Sequence, residues 1–115
     1  MKRAKDCLEQ MIPLLNENPK AVGIMKAWSR KVQFDFDNEN SHFHIVVDRG
    51  AMRLSDVACG EPDITVTGDE KALAEVVEGV IDITHPISQG RLVVKRGKIS
   101  EMTHFNRLIA IAKRR

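Results

Sequence analysis

The sequence predicts an α+β fold in which five short strands form a mostly antiparallel sheet and helices precede, interrupt and follow it. Three observations predict it. Apolar residues recur at helical spacing from Ala4 to Leu15. The period drops to two at Lys31 and holds through four strand-like runs joined by short polar links. Helical spacing then returns after Thr67 and again after Ser100, with a fifth strand-like run, "RLVVKR", between them.

In the first helix Ala4, Cys7, Leu8, Met11, Ile12 and Leu15 make one stripe. Pro13 lacks an amide hydrogen and crowds the carbonyl four residues back, so the helix is expected to bend or end near Ile12. A second, short helix starts at Asn18 and Pro19, a capping residue followed by one suited to the first turn, and carries Val22, Met25 and Trp28. Val32, Phe34 and Phe36 then alternate with Gln33, Asp35 and Asp37, as a half-buried strand requires. The polar "DNENS" turns the chain, and Phe43, Ile45 and Val47 alternate on the return strand. "DRGA" is the next turn, followed by a strand from Met52 to Val57, a loop through Gly60 and Pro62, and a strand at Ile64 to Val66.

Thr67 and Glu70 have the spacing of a capping box, and Asp69 adds negative charge at the positive end of the helix that follows. Leu73, Val76, Val77 and Val80 form its stripe, and Gly79 stands where a left-handed terminating residue belongs. These carboxylates are accounted for by starting a helix. "IDITHPISQG", with Pro86 early and Gly90 late, fits a single short helical turn. The last helix begins at Ser100, with Met102, Phe105, Ile109 and Ala112 on one face and Leu108 and Ile111 on a neighbouring one. That apolar surface is wider than one sheet face needs.

At 115 residues, 43% apolar and 30% charged, the chain has the size and balance of one soluble domain over residues 1–115. No apolar run approaches the roughly 18 residues of a membrane-spanning helix, and "MKRAKDCLEQ" lacks the apolar stretch of a secretory signal, so the expected compartment is the cytoplasm. Cys7 and Cys59 have no CxxC or CxxH spacing and are expected to be reduced thiols. Net charge is +2, with basic residues gathered in "MKRAK" and "AKRR". Lys113, Arg114 and Arg115 suit the negative end of a helix dipole, and the same termini offer a transient contact with an anionic membrane. Four Phe, one Trp and no Tyr leave little to stack on bases, which argues against a nucleic-acid partner.

Catalytic chemistry finds no foothold. His42 and His44 project from one strand face, with Asp35 or Asp37 across the hairpin as a third ligand, but nothing marks the remaining ligands of a metal site. His85 and His104 are isolated, and the thiolate of Cys59 is disfavoured by Asp56 and Glu61. There is no GxSxG, P-loop, GxGxxG opening a helix, or HExxH, so no catalytic residue, metal or cofactor is assigned.

The span from Pro62 to Arg96, "PDITVTGDEKALAEVVEGVIDITHPISQGRLVVKR", resembles the carboxy-terminal half of the sterol carrier protein 2 family. Asp63, Thr65, Asp69, Glu70, Leu73, Gly79, Asp82, Gln89, Gly90 and Leu92 occupy the family's places in order, with Arg91 where lysine is usual. The hairpins before this span fit the family's order too. Departures are Pro86, Ile87 and Ser88 in place of Ala-Phe-Phe or similar, about one extra residue between Gly90 and Gly97, and "AKRR" in place of a peroxisomal address.

The resemblance implies helices covering one face of the sheet, and between the two layers an apolar tunnel that accepts a fatty acyl chain, a sterol or a similar lipid without catalysis. Its expected lining is Met25, Trp28, Phe34, Leu73, Val76, Val77, Ile83, Ile87, Gln89, Met102, Phe105, Leu108 and Ile109. For any one of these taken alone, ordinary core packing is the stronger reading. An empty apolar cavity of about 300 Å³ would cost on the order of 7 kcal/mol, against a total stability of about 5–15 kcal/mol. Such a tunnel is expected to be filled or to close. The alternative, from another class, is an accessory module whose apolar helix face, Leu108 and Ile111 included, forms a homodimer or packs on a partner enzyme.

Overall fold

Alternation puts Val32, Phe34 and Phe36 of strand β1 (Arg30–Phe36) on one face of a sheet, where all three are buried. In the computed structural model, which describes residues 3–36, 40–57 and 60–113, β1 pairs antiparallel with β2 (Ser41–Asp48), Phe34 facing Phe43 and Val32 facing Ile45. β3 (Ala51–Ser55) continues the meander at one edge, Met52 opposite Val47. β4 (Ile64–Gly68) and β5 (Leu92–Arg96) complete the order β3-β2-β1-β4-β5.

Three of the four ladders are antiparallel, as expected. The fourth is not: β4 leaves the meander and lies parallel to β1, Val32 opposite Ile64 and Phe34 opposite Val66. The junction is tied at Asp63, whose Oδ2 accepts from the Lys31 amide at 2.8 Å and whose own amide donates to the Lys31 carbonyl at 2.9 Å. The parallel pairing satisfies the second edge of β1, whose row of buried aromatics needs neighbours on both sides.

Helices α1 (Ala4–Glu17), α2 (Pro19–Ala27), α3 (Glu70–Val77) and α5 (Met102–Lys113) bury apolar stripes over the inward sheet face, and a short α4 (Thr84–Ser88) precedes β5. α1 runs on through Pro13 to Glu17, although a bend or end near Ile12 was the expectation. Pro13 is exposed, so the carbonyl it deprives of a partner faces water, while Leu15 beyond it is fully buried and holds the last turn down. Asn18 caps α2 as expected, accepting from the amides of Lys20 and Ala21.

The capping box at α3 does not form. Thr67 belongs to β4, paired with Val93, and Glu70 turns to Arg3, so the Asp69 side chain caps the helix through the Lys71 amide at 3.0 Å. Gly79 ends the helix with φ +80°, as anticipated, and Val80 beyond it is 68% exposed rather than part of the stripe. Cys59, Asp37, Arg114 and Arg115 lie outside the described residues. Cys7 is buried and donates to Glu78 Oε1 at 3.0 Å.

Candidate functional site

The inward faces of β1 and β2 and the underside of α5 meet around the four phenylalanines. Phe34 stacks on Phe43 at 5.3 Å between ring centroids and lies 6.1 Å from Phe105 of α5, while Phe36 lies 6.1 Å from Phe43. All four are essentially without solvent exposure. Alternation along the strands and the i, i+3, i+7 spacing of Met102, Phe105 and Ile109 aim these side chains into one volume.

Eleven of the thirteen expected lining residues are buried: Met25, Trp28, Phe34, Leu73, Val76, Val77, Ile83, Met102, Phe105, Leu108 and Ile109. They pack on one another in a single cluster, so the layer between helices and sheet is filled by side chains. Ile87 is partly buried at its margin. Gln89 stands apart, exposed where α4 ends, because its amide bonds back to the His85 carbonyl and leaves the side chain in solvent. Among the described residues no buried side-chain nitrogen or oxygen lacks a partner. The chemistry of this interior is therefore apolar contact, without directional polar recognition.

Polar attachments hold α5 at its start, middle and end. Glu101 Oε1 accepts from the Trp28 indole at 3.2 Å and from Arg30 Nε at 3.0 Å, and Trp28 stacks on His104 at 5.4 Å. Asn106 donates to Asp82 Oδ2 at 2.9 Å and accepts from the Ile83 amide at 3.2 Å. The Thr84 amide, its hydroxyl and Asn106 together hold the Asp82 carboxyl below its ordinary pKa range. That contribution to stability is complete above the ordinary carboxylate pKa and is lost as pH falls through the lowered value. At the far end Lys113 pairs with Glu78 at 3.5 Å.

None of these attachments was legible beforehand except through Trp28, a large amphipathic side chain whose N–H needs an acceptor once buried. Removing that acceptor with Glu101→Ala is expected to cost about 1–3 kcal/mol and to speed amide exchange in the first turns of α5 by hydrogen-exchange NMR, with β2 and the part of β1 from Val32 to Phe36, beyond the Arg30 contact, unaffected.

Clefts flank α5 on its outer sides. One of about 250 Å³ lies against α3, lined by Val76, Val80, Ile81 and Ile109 among others. Another, of about 430 Å³, lies against α2. The histidine pair on the opposite sheet face is otherwise engaged: His42 Nδ1 meets Asp35 at 2.9 Å, and His44 Nδ1 bonds the Val57 carbonyl. Among the described residues no three His, Cys, Asp or Glu side chains gather in ligand geometry. Among the same residues no helix is long and apolar enough to cross a membrane.

Comparison with known proteins gives a consistent result. The profile of the SCP-2 sterol transfer family matches residues 8–110. A solved structure described as a UbiJ-SCP2 ubiquinone synthesis protein superposes with TM-score 0.77 at 16% identity, covering 96% of this chain and 95% of that one. A crystal structure of sterol carrier protein 2 gives TM-score 0.66 at 18% identity over 95% of both chains. Palmitated SCP2L2 from Aedes aegypti gives TM-score 0.68 at 13% identity over 94% of this chain and 95% of its own. At these identities the structures share the fold. No curated protein matches the sequence.

Proposed function

Because the chain belongs to the SCP-2 sterol transfer family, we propose that it is a non-catalytic lipid carrier that takes the apolar part of its ligand, a fatty acyl chain or sterol-like body, between α5 and the sheet. The observation that carries this reading is the apolar body itself. Phe34 and Phe43 floor it, Phe105, Leu108 and Ile109 roof it, and all five are buried.

The closed packing is what a ligand-free carrier of this size requires. Holding open a cavity of about 300 Å³ would consume much of the chain's stability, so the layers close when no ligand separates them. α5 is the element that moves: clefts run along its flanks, and its attachments at Glu101, Asn106 and Lys113 are a few hydrogen bonds at its partly exposed surface. The palmitated relative from Aedes aegypti supports an acyl chain as one occupant. Binding is driven by area removed from water, so selectivity follows shape and length of the apolar part.

Native mass spectrometry of the protein purified without detergent is expected to show a bound mass that organic extraction removes and identifies as lipid. A protein that is repeatedly empty and leaves fluorescent fatty-acid analogues unbound contradicts the proposal. The accessory-module alternative has less support, because Leu108, central to the helix face it would present to a partner, is fully buried within the chain.

A further inference from the structure

α2 and α5 run side by side in opposite directions, since Trp28 at the end of α2 meets Glu101, just before α5, and His104 in its first turn. Between them lies the cleft of about 430 Å³. Its floor is apolar: Gly23, Ile24 and Ala27 of α2 and Ile111 of α5. Its rim is cationic, with Lys20 at one end and Arg107 on the opposite wall. Neither cation has an ion-pair partner among the described residues. Glu101, at the Trp28 end of the two helices, is already held by Arg30 and Trp28.

Gly23 is the telling residue. A glycine inside a helix weakens it, yet nothing lies within 4 Å of where its Cβ would stand. No close packing requires the missing side chain. What its absence does is leave the floor of the cleft open.

We infer that this cleft is a second ligand site, on the surface and separate from the interior, which takes a single-chain carboxylate amphiphile such as a free fatty acid, its tail on Gly23, Ile24 and Ile111 and its head between Lys20 and Arg107. The volume falls within the range of small-molecule sites. It is smaller than two turns of a partner helix, which at a diameter of about 10 Å fill roughly 800 Å³. A membrane surface fits less well, because the large apolar side chains of the cleft, Ile24 and Ile111, are half-buried, and the most exposed ones among the described residues, Leu14, Val57, Val80, Val93 and Ile99, all lie elsewhere. Charge complementarity selects the acid over the neutral alcohol of the same length. The site stands independently of the carrier reading of the interior.

The test is a titration of the isotope-labelled protein with dodecanoate below its micelle concentration, followed by NMR, with dodecanol and phosphatidylglycerol vesicles as comparisons. Expected are shifts at Gly23, Ile24 and Ile111 and about tenfold weaker binding of dodecanol, the worth of two exposed charge contacts. Gly23→Leu should fill the floor and abolish those shifts while leaving the thermal midpoint equal or a few degrees higher, since leucine is the better helix former. Lys20→Glu with Arg107→Glu should weaken dodecanoate at least tenfold and leave dodecanol unchanged. Shifts confined to the Phe34 and Phe105 region and indifferent to Gly23→Leu would overturn the groove site and leave the interior reading standing. Equal binding of acid and alcohol, or binding to vesicles alone, would also overturn it. No binding of dodecanoate anywhere, in a protein that also purifies without lipid, would remove both readings together.

Discussion

Phe105→Ala is expected to destabilise the protein by about 3–5 kcal/mol, the range for emptying a buried aromatic site. Phe105 has no exposure and its ring lies 6.1 Å from Phe34, which itself stacks on Phe43 and Phe36. The lost ring sits between α5 and the sheet, where neither layer can collapse onto the other without unseating Met102 and Ile109 on the neighbouring turns. Against a total of about 5–15 kcal/mol, urea unfolding should show a large fall in midpoint. The same vacancy lies where the ligand is proposed to enter. Added palmitate should therefore restore more stability to the variant than it gives the native protein, by the ordinary linkage of binding to folding. A variant that loses stability and gains nothing from palmitate would place the ligand elsewhere.

Gly68→Ala is expected to be comparably severe for a different reason. Gly68 closes β4 with φ +128°, and a Cβ there would stand 2.2 Å from the Arg91 carbonyl oxygen and 3.1 Å from the Leu92 Cα. An L-residue in that conformation is strained by about 1–3 kcal/mol, and here the clash is with backbone that cannot rotate away. The ladder from Gly68 to Leu92 must part, and with it the bond from the Asp69 amide to the Arg91 carbonyl at 2.8 Å that seats the start of α3. A loss on the order of 3 kcal/mol or more is expected, measured by thermal or urea unfolding, with the first protection losses by hydrogen exchange in β5.

Where the sequence was readable, the signal was local. Period-two alternation at Val32, Phe34 and Phe36 and at Phe43, Ile45 and Val47 located two strands and their inward faces. Asn18 with Pro19 located the start of α2, and Gly79 the end of α3. Where it was not, a distant residue decided the outcome. Thr67 and Glu70 have the right spacing for a capping box, but Glu70 is claimed by Arg3, 67 residues away, through two bonds at 3.2 and 3.3 Å, and Thr67 by its place opposite Val93. The edge that β4 takes is set by pairing with Val32 across the whole meander, which no local pattern encodes.

The candidate site divides the same way. Helical and strand periodicity identified the side chains that face inward, so most of the expected lining is interior. Gln89 was assigned by its place in a motif rather than by its own chemistry, and it is in solvent. The cleft beside Gly23 depends on how α2 and α5 lie against each other, a tertiary property to which the sequence contributes only an unexplained helical glycine.

The most direct measurement is a set of isotope-filtered NOE spectra of the protein loaded with carbon-13-labelled palmitate. Contacts from the acyl methylenes to the ring protons of Phe34 and Phe105, together with faster amide exchange in α5 than in β1 while the ligand is loading, are the predicted result. Acyl contacts confined to the outer surface, with the Phe34–Phe105 contact of the empty protein intact in the loaded one, would contradict it.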